Sequence, residues 1–302
     1  MKVIDQLSTR IESLNFIMDF VLEKLLRRKI LSMDVTSGED FFIKTKDYIG
    51  NQIIAHDLYE KRELKSLVHF LAPIHPLLKG GLGFDVGANI GNHTIFLAPY
   101  LQEIHAFEPN PRIYSLLELN TQKILNIKVF NFGLSNSKAS KTLYIDSQNV
   151  GGSSTIKSRG KFNEEIKIRL VPLDSIKIKY EKLQIIKIDV EGNEYEVLVG
   201  GIKTIQNSMP IILLEQFPND FDSPKRSSIA LLTKYGYRFV WMAHDSVNQN
   251  KIQRRVSRVV NFLYRREVTF FVTSSEVPRA HYPMLVAVPP RFFGLLKVEN
   301  LL

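Results

Sequence analysis

Short apolar runs alternate with longer segments through the middle of the chain. The runs are rich in Ile, Val, Leu and Phe and too short for typical helices, so they predict buried strands. They lie at residues 82–86, 103–108, 127–134, 183–190, 210–215, 237–242 and 268–273. The segments at 91–101, 194–205 and 227–235 are predicted helices, and another begins near Pro111. Strands that alternate with helices indicate a parallel, doubly wound α/β sheet.

The N-terminal segment carries a different pattern. Its apolar residues are spaced alternately by three and four, at positions 4, 7, 11, 14, 18, 21 and 25. This spacing predicts an amphipathic heptad helix over residues 1–31. We expect the helix to pack on its own domain, or to join a second copy or a partner protein through residues 4–25. A position on a membrane surface is a third option, because basic residues cluster near its end.

The pattern divides the chain into four parts. Residues 32–79 form a lead-in region, with a helix predicted over 61–78 and short extended pieces at 41–45 and 48–54. The regular α/β pattern defines a domain at 80–275. Residues 276–302 are expected to be a C-terminal tail.

Composition removes several classes of protein. The 302 residues include no cysteine, so a disulfide framework, a thiol nucleophile and a thiolate zinc site are excluded. The longest apolar runs are far too short to span a bilayer. Acidic residues 12, 19 and 23 interrupt any signal-peptide core. We therefore expect a soluble, cytoplasmic protein.

The positive charge is unevenly distributed. The net charge is +9, and residues 251–302 hold nine Lys or Arg against three Glu, which is +6. Such a cluster attracts phosphates, nucleic acid or an acidic membrane. A solvated helix face followed by a tail explains it more simply. A nucleic-acid enzyme is not favoured, since the chain lacks an aromatic-rich amino-methylation motif after the fourth strand.

A glycine-containing turn follows the first strand of the α/β domain. Gly87 and Gly91 allow a tight turn and a close approach to a ligand, and the next helix directs free N–H groups to the same point. Glu108 ends the second strand, twenty-one residues after Gly87, where an acidic residue can accept hydrogen bonds from ribose hydroxyls. Together they indicate a nucleoside cofactor.

The residue before this turn distinguishes between cofactors. A dinucleotide fold would place a glycine at position 85, to let the backbone touch a pyrophosphate. Asp85 would repel a pyrophosphate but suits a ligand with an ammonium and a sulfonium. This favours S-adenosylmethionine over NAD. The alternative is that Asp85 only caps the turn.

Three segments resemble the FkbM family of S-adenosylmethionine-dependent methyltransferases. They are Phe-Asp-Val-Gly-Ala-Asn-Ile-Gly at 84–91, Ala-Phe-Glu-Pro at 106–109 and Ile-Lys-Ile-Asp-Val-Glu-Gly at 186–192. The resemblance covers roughly residues 80–243. It implies a class I methyltransferase sheet, with the last strand antiparallel beside the fifth, and O-methylation of sugar hydroxyls or secondary metabolites. Asn89 replaces a glycine found in many methyltransferases, in the form seen in FkbM members.

Each site residue receives a hypothetical role. Asp85 would lie near the methionine moiety, directly or through water, and Glu108 would hold the ribose. The cofactor-binding set is Asp85, Gly87, Asn89, Gly91, Glu108 and Asp189. Asp189, Glu191 and Glu215 are the candidate catalytic residues, because they follow the fourth and fifth strands and would point into the same cleft.

Simpler roles remain open for the same residues. Asp189 could be a helix N-cap, Glu191 a helix-dipole partner, and Glu215 a structural residue. His244 is an alternative base. The three carboxylates could hold a divalent cation, but no spacing singles out a metal and none is expected. The Gly/Ser-rich loop at 151–155 could cover the substrate or adenine, or only connect extended pieces at 141–145 and 166–171.

The sequence therefore predicts an S-adenosylmethionine-dependent O-methyltransferase that acts on a hydroxyl of a saccharide or glycan-bearing acceptor. The alternative is a non-catalytic cofactor-binding scaffold that docks a partner through its N-terminal helix.

Overall fold

A nine-stranded mixed sheet forms the centre of the protein. A computed structural model describes residues 2–10, 35–37, 42–44, 53, 58–145, 155, 164–177, 182–222, 226–243, 266–274 and 276–298. Its strands are β1 (Lys2–Arg10), β2 (Val35–Ser37), β3 (Phe42–Lys44), β4 (Leu82–Val86), β5 (Glu103–Phe107), β6 (Ile127–Phe130), β7 (Gly133–Leu134), β8 (Ala139–Ile145), β9 (Glu164–Val171), β10 (Leu183–Ile188), β11 (Ile211–Gln216), β12 (Arg238–Ala243), β13 (Arg266–Thr273) and β14 (Tyr282–Val288).

Helices connect the strands of the central sheet. They are α1 (Lys61–Phe70), α2 (His75–Lys79), α3 (Asn92–Leu97), α4 (Pro111–Thr121), α5 (Glu194–Gly200), α6 (Ile202–Ser208) and α7 (Ser228–Lys234). Short 3-10 helices lie at Ala72–Ile74, Ala98–Tyr100, Leu173–Ser175, Pro218–Asp222 and Pro290–Phe292. The predicted 194–205 helix is two helices, because Gly200 packs against the Ser135 backbone and the chain bends at Gly201. No helix in the described ranges is long and apolar enough to cross a bilayer.

The strand order confirms the predicted fold. The central sheet runs β1-β13-β12-β14-β11-β10-β4-β5-β6. The strands β6, β5, β4, β10 and β11 are parallel, and β14 pairs antiparallel with β11. Five parallel strands with an antiparallel strand beside the fifth are the class I methyltransferase arrangement that the resemblance implied. The predicted strand 127–134 is divided into β6 and β7, and β7 belongs to a separate sheet with β9 and β8.

The expected C-terminal tail is wrong for residues 282–288. This segment is β14, which lies between β11 and β12 and has six of its seven residues buried. The sequence does not indicate this strand, because proline 283 lies within it and prolines 289 and 290 follow it, and proline is usually excluded from a central strand. Pro283 is accommodated near the start of the strand, where it is exposed. The antiparallel strand beside the fifth is thus β14 and not the predicted 268–273 strand.

The predicted N-terminal helix is wrong for residues 2–10. They form β1, which pairs antiparallel with β13 from Lys2 opposite Thr273 to Arg10 opposite Arg266. The open edge of β13 offers backbone hydrogen bonds that override the heptad spacing. Val3, Ile4 and Thr9 are β-branched and suit a strand. Residues 11–31, and most of the segment 4–25 assigned to a partner, lie outside the described residues, as does the basic stretch 244–265.

Both faces of the sheet are buried at the strands β4, β10 and β11. One face packs Phe84, Ile186, Ile188 and Leu214 against helices α5–α7 and their neighbours. The other face packs Ile104, Ile185 and other strand residues against α1, α2 and the end of α3. Burial on both sides explains why the parallel strands read as continuous apolar runs. The carboxyl ends of β4, β5, β10 and β11 meet at one edge, which is where such sheets bind ligands.

Candidate functional site

A cavity of about 200 Å³ opens at this edge of the sheet. Its walls come from the turn after β4, the end of β5, the loop after β10 and the end of β11. One end is mainly apolar and the other carries carboxylates. Of the predicted site residues, the cavity is lined by Gly87, Asn89, Glu108, Asp189, Glu191 and Glu215.

The glycine turn is fixed by backbone conformation. Gly87 and Gly91 have φ values of 79° and 96°, and Asn89 has a φ of 51°, so all three lie in the left-handed region. The N–H groups of Gly87 and Ala88 both donate to the carbonyl of Phe107 at 3.0 Å. A Cβ at Gly87 would overlap the carbonyl oxygen of Asp189. Gly87 therefore allows the ends of β4 and β10 to touch.

Glu108 organises the same turn from β5. Its carboxylate accepts a hydrogen bond from the N–H of Asn89 at 3.0 Å and another from the N–H of Asn110 at 2.8 Å. Burial raises the pKa of Glu108 to about 7, although the two backbone hydrogen bonds favour the anion. A carboxylate oxygen can accept more than one hydrogen bond, so Glu108 keeps capacity for a ligand hydroxyl.

The apolar end of the cavity is formed by α4 and the small sheet. Ile113, Leu143, Ile168 and Leu170 line it and belong to one buried cluster. A flat aromatic ligand group would be desolvated there. Thr155, the described residue of the loop 151–155, also lines the cavity and accepts a hydrogen bond from Asn193 at 2.9 Å.

Asp189, Glu191 and Glu215 come together at the polar end. One oxygen from each carboxylate lies within 4.8 Å of the others. The three side chains are half-buried. Glu191 has a φ of 51° and Gly192 a φ of 96°, so a left-handed turn presents the loop after β10 to the cavity. The sequence prediction that these three carboxylates share one cleft is met by this geometry. The same geometry suits a divalent cation with oxygen ligands, which leaves the metal alternative open.

The carboxylates of Asp189 and Glu215 differ in charge. Burial, together with the neighbouring charges of Asp189 and Glu191, raises the pKa of Glu215 to about 10. Burial also opposes ionisation of Asp189, but Lys187 and the hydrogen bond with Glu215 outweigh it, and the pKa of Asp189 is lowered. The proton of the pair is therefore favoured on Glu215 and the negative charge on Asp189, and His281 Nε2 lies 3.2 Å from Glu215 Oε1.

The sequence interpretation missed Lys187, which is buried in the central strand β10. Its ammonium lies 3.1 Å from Asp189 Oδ2, 3.4 Å from Asp85 Oδ1 and 3.2 Å from the carbonyl oxygen of Gly87. Burial alone would lower the pKa of Lys187, but Asp189 and Asp85 raise it. The available signal was a lysine inside an apolar strand, flanked on both sides by isoleucine.

Asp85 lies behind the cavity wall. Its carboxylate is fully buried, accepts a hydrogen bond from Thr94 Oγ1 at 2.6 Å and faces the ammonium of Lys187. It is absent from the cavity lining among the described residues. A direct contact with a ligand is therefore not supported by the structure, and Asp85 reaches the cavity through Lys187.

Two other elements that the sequence interpretation missed complete the site. Tyr59 and Glu60 of the lead-in region line the cavity; Tyr59 exchanges two backbone hydrogen bonds of 3.0 Å with the Asn92 side chain. His93, which the sequence gave no role, lies 3.1 Å from Glu60. Glu194 is buried and accepts hydrogen bonds from the N–H groups of Val190 and Gly192, so it shapes the carboxylate loop. The alternative base His244 lies outside the described residues.

Comparison with known proteins identifies the family. The Methyltransferase FkbM domain matches residues 85–239, which is about half of the chain. The chain belongs to the FkbM methyltransferase family. The match begins at Asp85 and includes the glycine turn, Glu108 and the three carboxylates. The lead-in wall at Tyr59 and the strand β14 lie outside it.

Individual relatives of this FkbM protein are distant. The hexuronic acid methyltransferase AglP of Haloferax volcanii is 28% identical over 135 residues, which are 44% of this chain and 54% of AglP. The chain thus spans about half the length of this curated relative. The methyltransferase FkbM of Methylobacillus flagellatus KT is 14% identical, with a TM-score of 0.38 over 84% of this chain and 60% of that one. SMU.1697c of Streptococcus mutans, solved with SAH, is 12% identical, with a TM-score of 0.35 over 71% and 99%.

Proposed function

We propose that this protein is an S-adenosylmethionine-dependent O-methyltransferase that methylates a hydroxyl of a saccharide or a glycan-bearing acceptor. The observation that carries the proposal is a single cavity, in a chain of the FkbM family, that joins the glycine turn and Glu108 to the carboxylates of Asp189, Glu191 and Glu215. The first group would bind the donor and the second would contact the acceptor.

The residues of the cavity fit S-adenosylmethionine. The carboxylate of Glu108 suits the ribose hydroxyls, because it is held by two backbone N–H groups and faces the cavity. The apolar end, with Ile113 and Ile168, suits the adenine ring. The acidic end favours the positive charges of the donor's amino acid and sulfonium groups. Gly87 and Asn89 would bring the backbone close to the donor, whereas Gly91 is absent from the described lining of the cavity and packs against Leu117.

The carboxylates would prepare the acceptor for reaction. S-adenosylmethionine, when bound, supplies a methyl group on a good leaving group, so alignment and proton removal are the tasks of the protein. Asp189 is the anion of the pair and would accept the hydroxyl proton. Glu215 carries a proton at neutral pH and would donate a hydrogen bond that orients the acceptor. Glu191 would bind a second hydroxyl.

Two observations support a saccharide acceptor. Clustered carboxylates are strong hydrogen-bond acceptors, and a sugar offers several hydroxyl donors at this spacing. The relative AglP is a hexuronic acid methyltransferase, and its match covers about half of each protein. We therefore expect the acceptor to be a saccharide, with one of its hydroxyls as the methylated position.

Donor binding and methyl transfer test the proposal separately. We expect isothermal titration to show binding of S-adenosylmethionine, and mass spectrometry of a saccharide panel to show the gain of one methyl group. Asp189→Asn should retain a folded protein and lose turnover by at least about a hundredfold, the usual contribution of a general base. Glu118→Gln, at an exposed position of α4, is the matched control. A wild-type chain that does not bind the donor would contradict the proposal.

A further inference from the structure

The ammonium of Lys187 is held at the junction of the two cavity walls. Lys187 is 7% exposed and stands opposite Asp85 in the register of β10 and β4. An ammonium has three hydrogens, and three oxygens surround this one: those of Asp85, Asp189 and the Gly87 carbonyl, at 3.1–3.4 Å. The side chain therefore connects the end of β4 to the end of β10.

Asp85 compensates the buried positive charge of Lys187. A single buried ammonium is costly unless an anion and hydrogen bonds compensate it. Asp85 is completely buried, and among the described residues its Oδ1 has no hydrogen-bond partner apart from the nearby ammonium. Thr94 fixes its other oxygen. The Asp85 carboxylate thus neutralises Lys187 from behind, and the ammonium can act on Asp189 in front.

We propose, on the basis of the proposed function, that Lys187 is a positioning residue whose ammonium aligns the Asp189 carboxylate with the glycine turn. It touches Asp189 and the Gly87 carbonyl at once, so one side chain sets the distance between the donor turn and the candidate base. The opposite pKa shifts of Asp189 and Glu215 agree with a cation on the side of Asp189.

Other charged groups surround Asp189 and must be considered in the test. Around Asp189 and its partners Lys187 and Glu215, they are Asp85 on β4, Glu108 on β5, Glu191 and Glu194 after β10, His93 in α3, Glu60 before α1 and His281 before β14, which lies 3.2 Å from Glu215. The group is predominantly acidic. Removal of the Lys187 cation should therefore move the proton of the Asp189–Glu215 pair towards Asp189.

The test uses variants that separate positioning from charge neutralisation. Lys187→Met alone leaves Asp85 as an uncompensated buried anion and is expected to unfold easily. The double variant Lys187→Met/Asp85→Asn removes both charges, and the Asn carbonyl can still accept the bond from Thr94. Lys187→Arg keeps the charge. Lys182→Met, at an exposed lysine just before β10, is the control.

The pKa of the Asp189 carboxyl and donor affinity are the two measurements. Carbon-13 NMR titration, with the Asp189 signal assigned by Asp189→Asn, should show a pKa below the ordinary value in the wild type. In the double variant it should rise to about 3.9 or above. The double variant should bind S-adenosylmethionine about tenfold more weakly than the wild type at pH 7. Lys187→Arg should keep the low pKa of Asp189. Lys182→Met should change neither this pKa nor the donor affinity.

The outcomes distinguish this inference from the proposed function. A folded double variant with the wild-type pKa of Asp189 and wild-type donor affinity would overturn it, because Lys187 would then only neutralise Asp85. If the wild type does not bind S-adenosylmethionine, the proposed function is wrong. The NMR comparison would still decide whether Lys187 sets the charge of Asp189.

Discussion

The two walls of the cavity are stabilised by different physical means. The glycine wall, formed by residues 86–90 and Glu108, depends on left-handed backbone conformations and on a close contact between strand ends. The carboxylate wall, formed by Asp189, Glu191 and Glu215, depends on the balance between three acids and the ammonium of Lys187. One wall is determined mainly by steric constraints and the other by charge.

This difference separates the tasks of the two walls. A backbone turn has the same shape at every pH, which suits a site that binds one donor repeatedly. A group of coupled carboxylates changes its charge when one proton moves, which suits a site that must take a proton from an acceptor. Substitutions in the glycine turn should therefore act through shape, and those at the carboxylates, including Glu108 beside the turn, should also change the pH dependence.

The largest expected effect is that of Gly87→Ala. The new Cβ would overlap the Asp189 carbonyl oxygen, and the φ of 79° is unfavourable for alanine. We expect a loss of about 3 kcal/mol or more in the free energy of unfolding in urea. Gly80→Ala is the control, because its Cβ would meet only the Leu77 carbonyl, at 4.0 Å. A Gly87→Ala protein as stable as the wild type would show that the strand ends can separate.

The next effect should depend on pH and belongs to the carboxylate wall. Burial and the Asp189 charge raise the pKa of Glu215 to about 10, so the folded state holds a proton that the unfolded chain releases near pH 4.5. Its contribution to stability is complete below pH 4.5 and is lost as the pH rises towards 10. Glu215→Gln removes this loss. We expect the difference in the free energy of unfolding between Glu215→Gln and the wild type to grow by about 2 kcal/mol, in favour of the variant, from pH 5 to pH 9. The value is smaller than the full effect of the pKa shift because Glu215 is partly exposed.

Urea unfolding at the two pH values measures this gain. Glu118→Gln, on the exposed face of α4, controls for the loss of an ordinary surface carboxylate. A gain that is the same at pH 5 and pH 9 would mean that Glu215 is not protonated in the folded protein. The carboxylate wall would then not differ from the glycine wall in the way described.

Local sequence signals predicted the glycine wall almost completely. Gly87, Gly91 and Glu108 have a spacing that can be recognised without knowing any other part of the fold. The strands of the parallel sheet were also predictable, because burial on both faces leaves continuous apolar runs. These features depend on short segments whose residue types leave few conformational alternatives.

The rest depended on partners that are distant in the sequence. The residues next to Lys187 in the sequence do not explain a lysine in an apolar strand. Its partner is Asp85, which the register of β10 and β4 places opposite it. The β14 strand contains a proline, and only its position between β11 and β12 in the sheet identifies it as a strand. Residues 2–10 follow a helical spacing, but the edge of β13 makes them a strand. In each case tertiary contacts outweigh the local pattern.

Glu108→Gln should have a smaller effect, and it tests whether the carboxylate of the glycine wall makes donor binding depend on pH. The carboxylate accepts hydrogen bonds on both oxygens, and the amide nitrogen of Gln would face an N–H donor. We expect about tenfold weaker binding of S-adenosylmethionine, which is about 1.4 kcal/mol. Because the pKa of Glu108 is about 7, wild-type binding should weaken as the pH falls below 7, and the Gln variant should lose this dependence. Isothermal titration from pH 5.5 to 8.5, about 1.5 units on either side of this pKa, measures both. Binding by the variant that weakens at low pH like the wild type would assign the pH effect to another group.

The smallest expected effect concerns the hydrogen bond between Asn193, which follows Glu191 and Gly192, and Thr155. Asn193 Nδ2 donates to Thr155 Oγ1 at 2.9 Å, and both residues line the cavity. A partly exposed hydrogen bond of this kind contributes about 0.5–1 kcal/mol. The single variants Asn193→Ala and Thr155→Val and the double variant, compared by urea unfolding, should show a coupling energy of that size. If the two substitutions are additive, the bond adds nothing to stability, and donor binding cannot order the carboxylates through it. A measured coupling that increases when S-adenosylmethionine is present would mean that the donor tightens the contact, so that the shape of one wall helps to set the charge arrangement of the other.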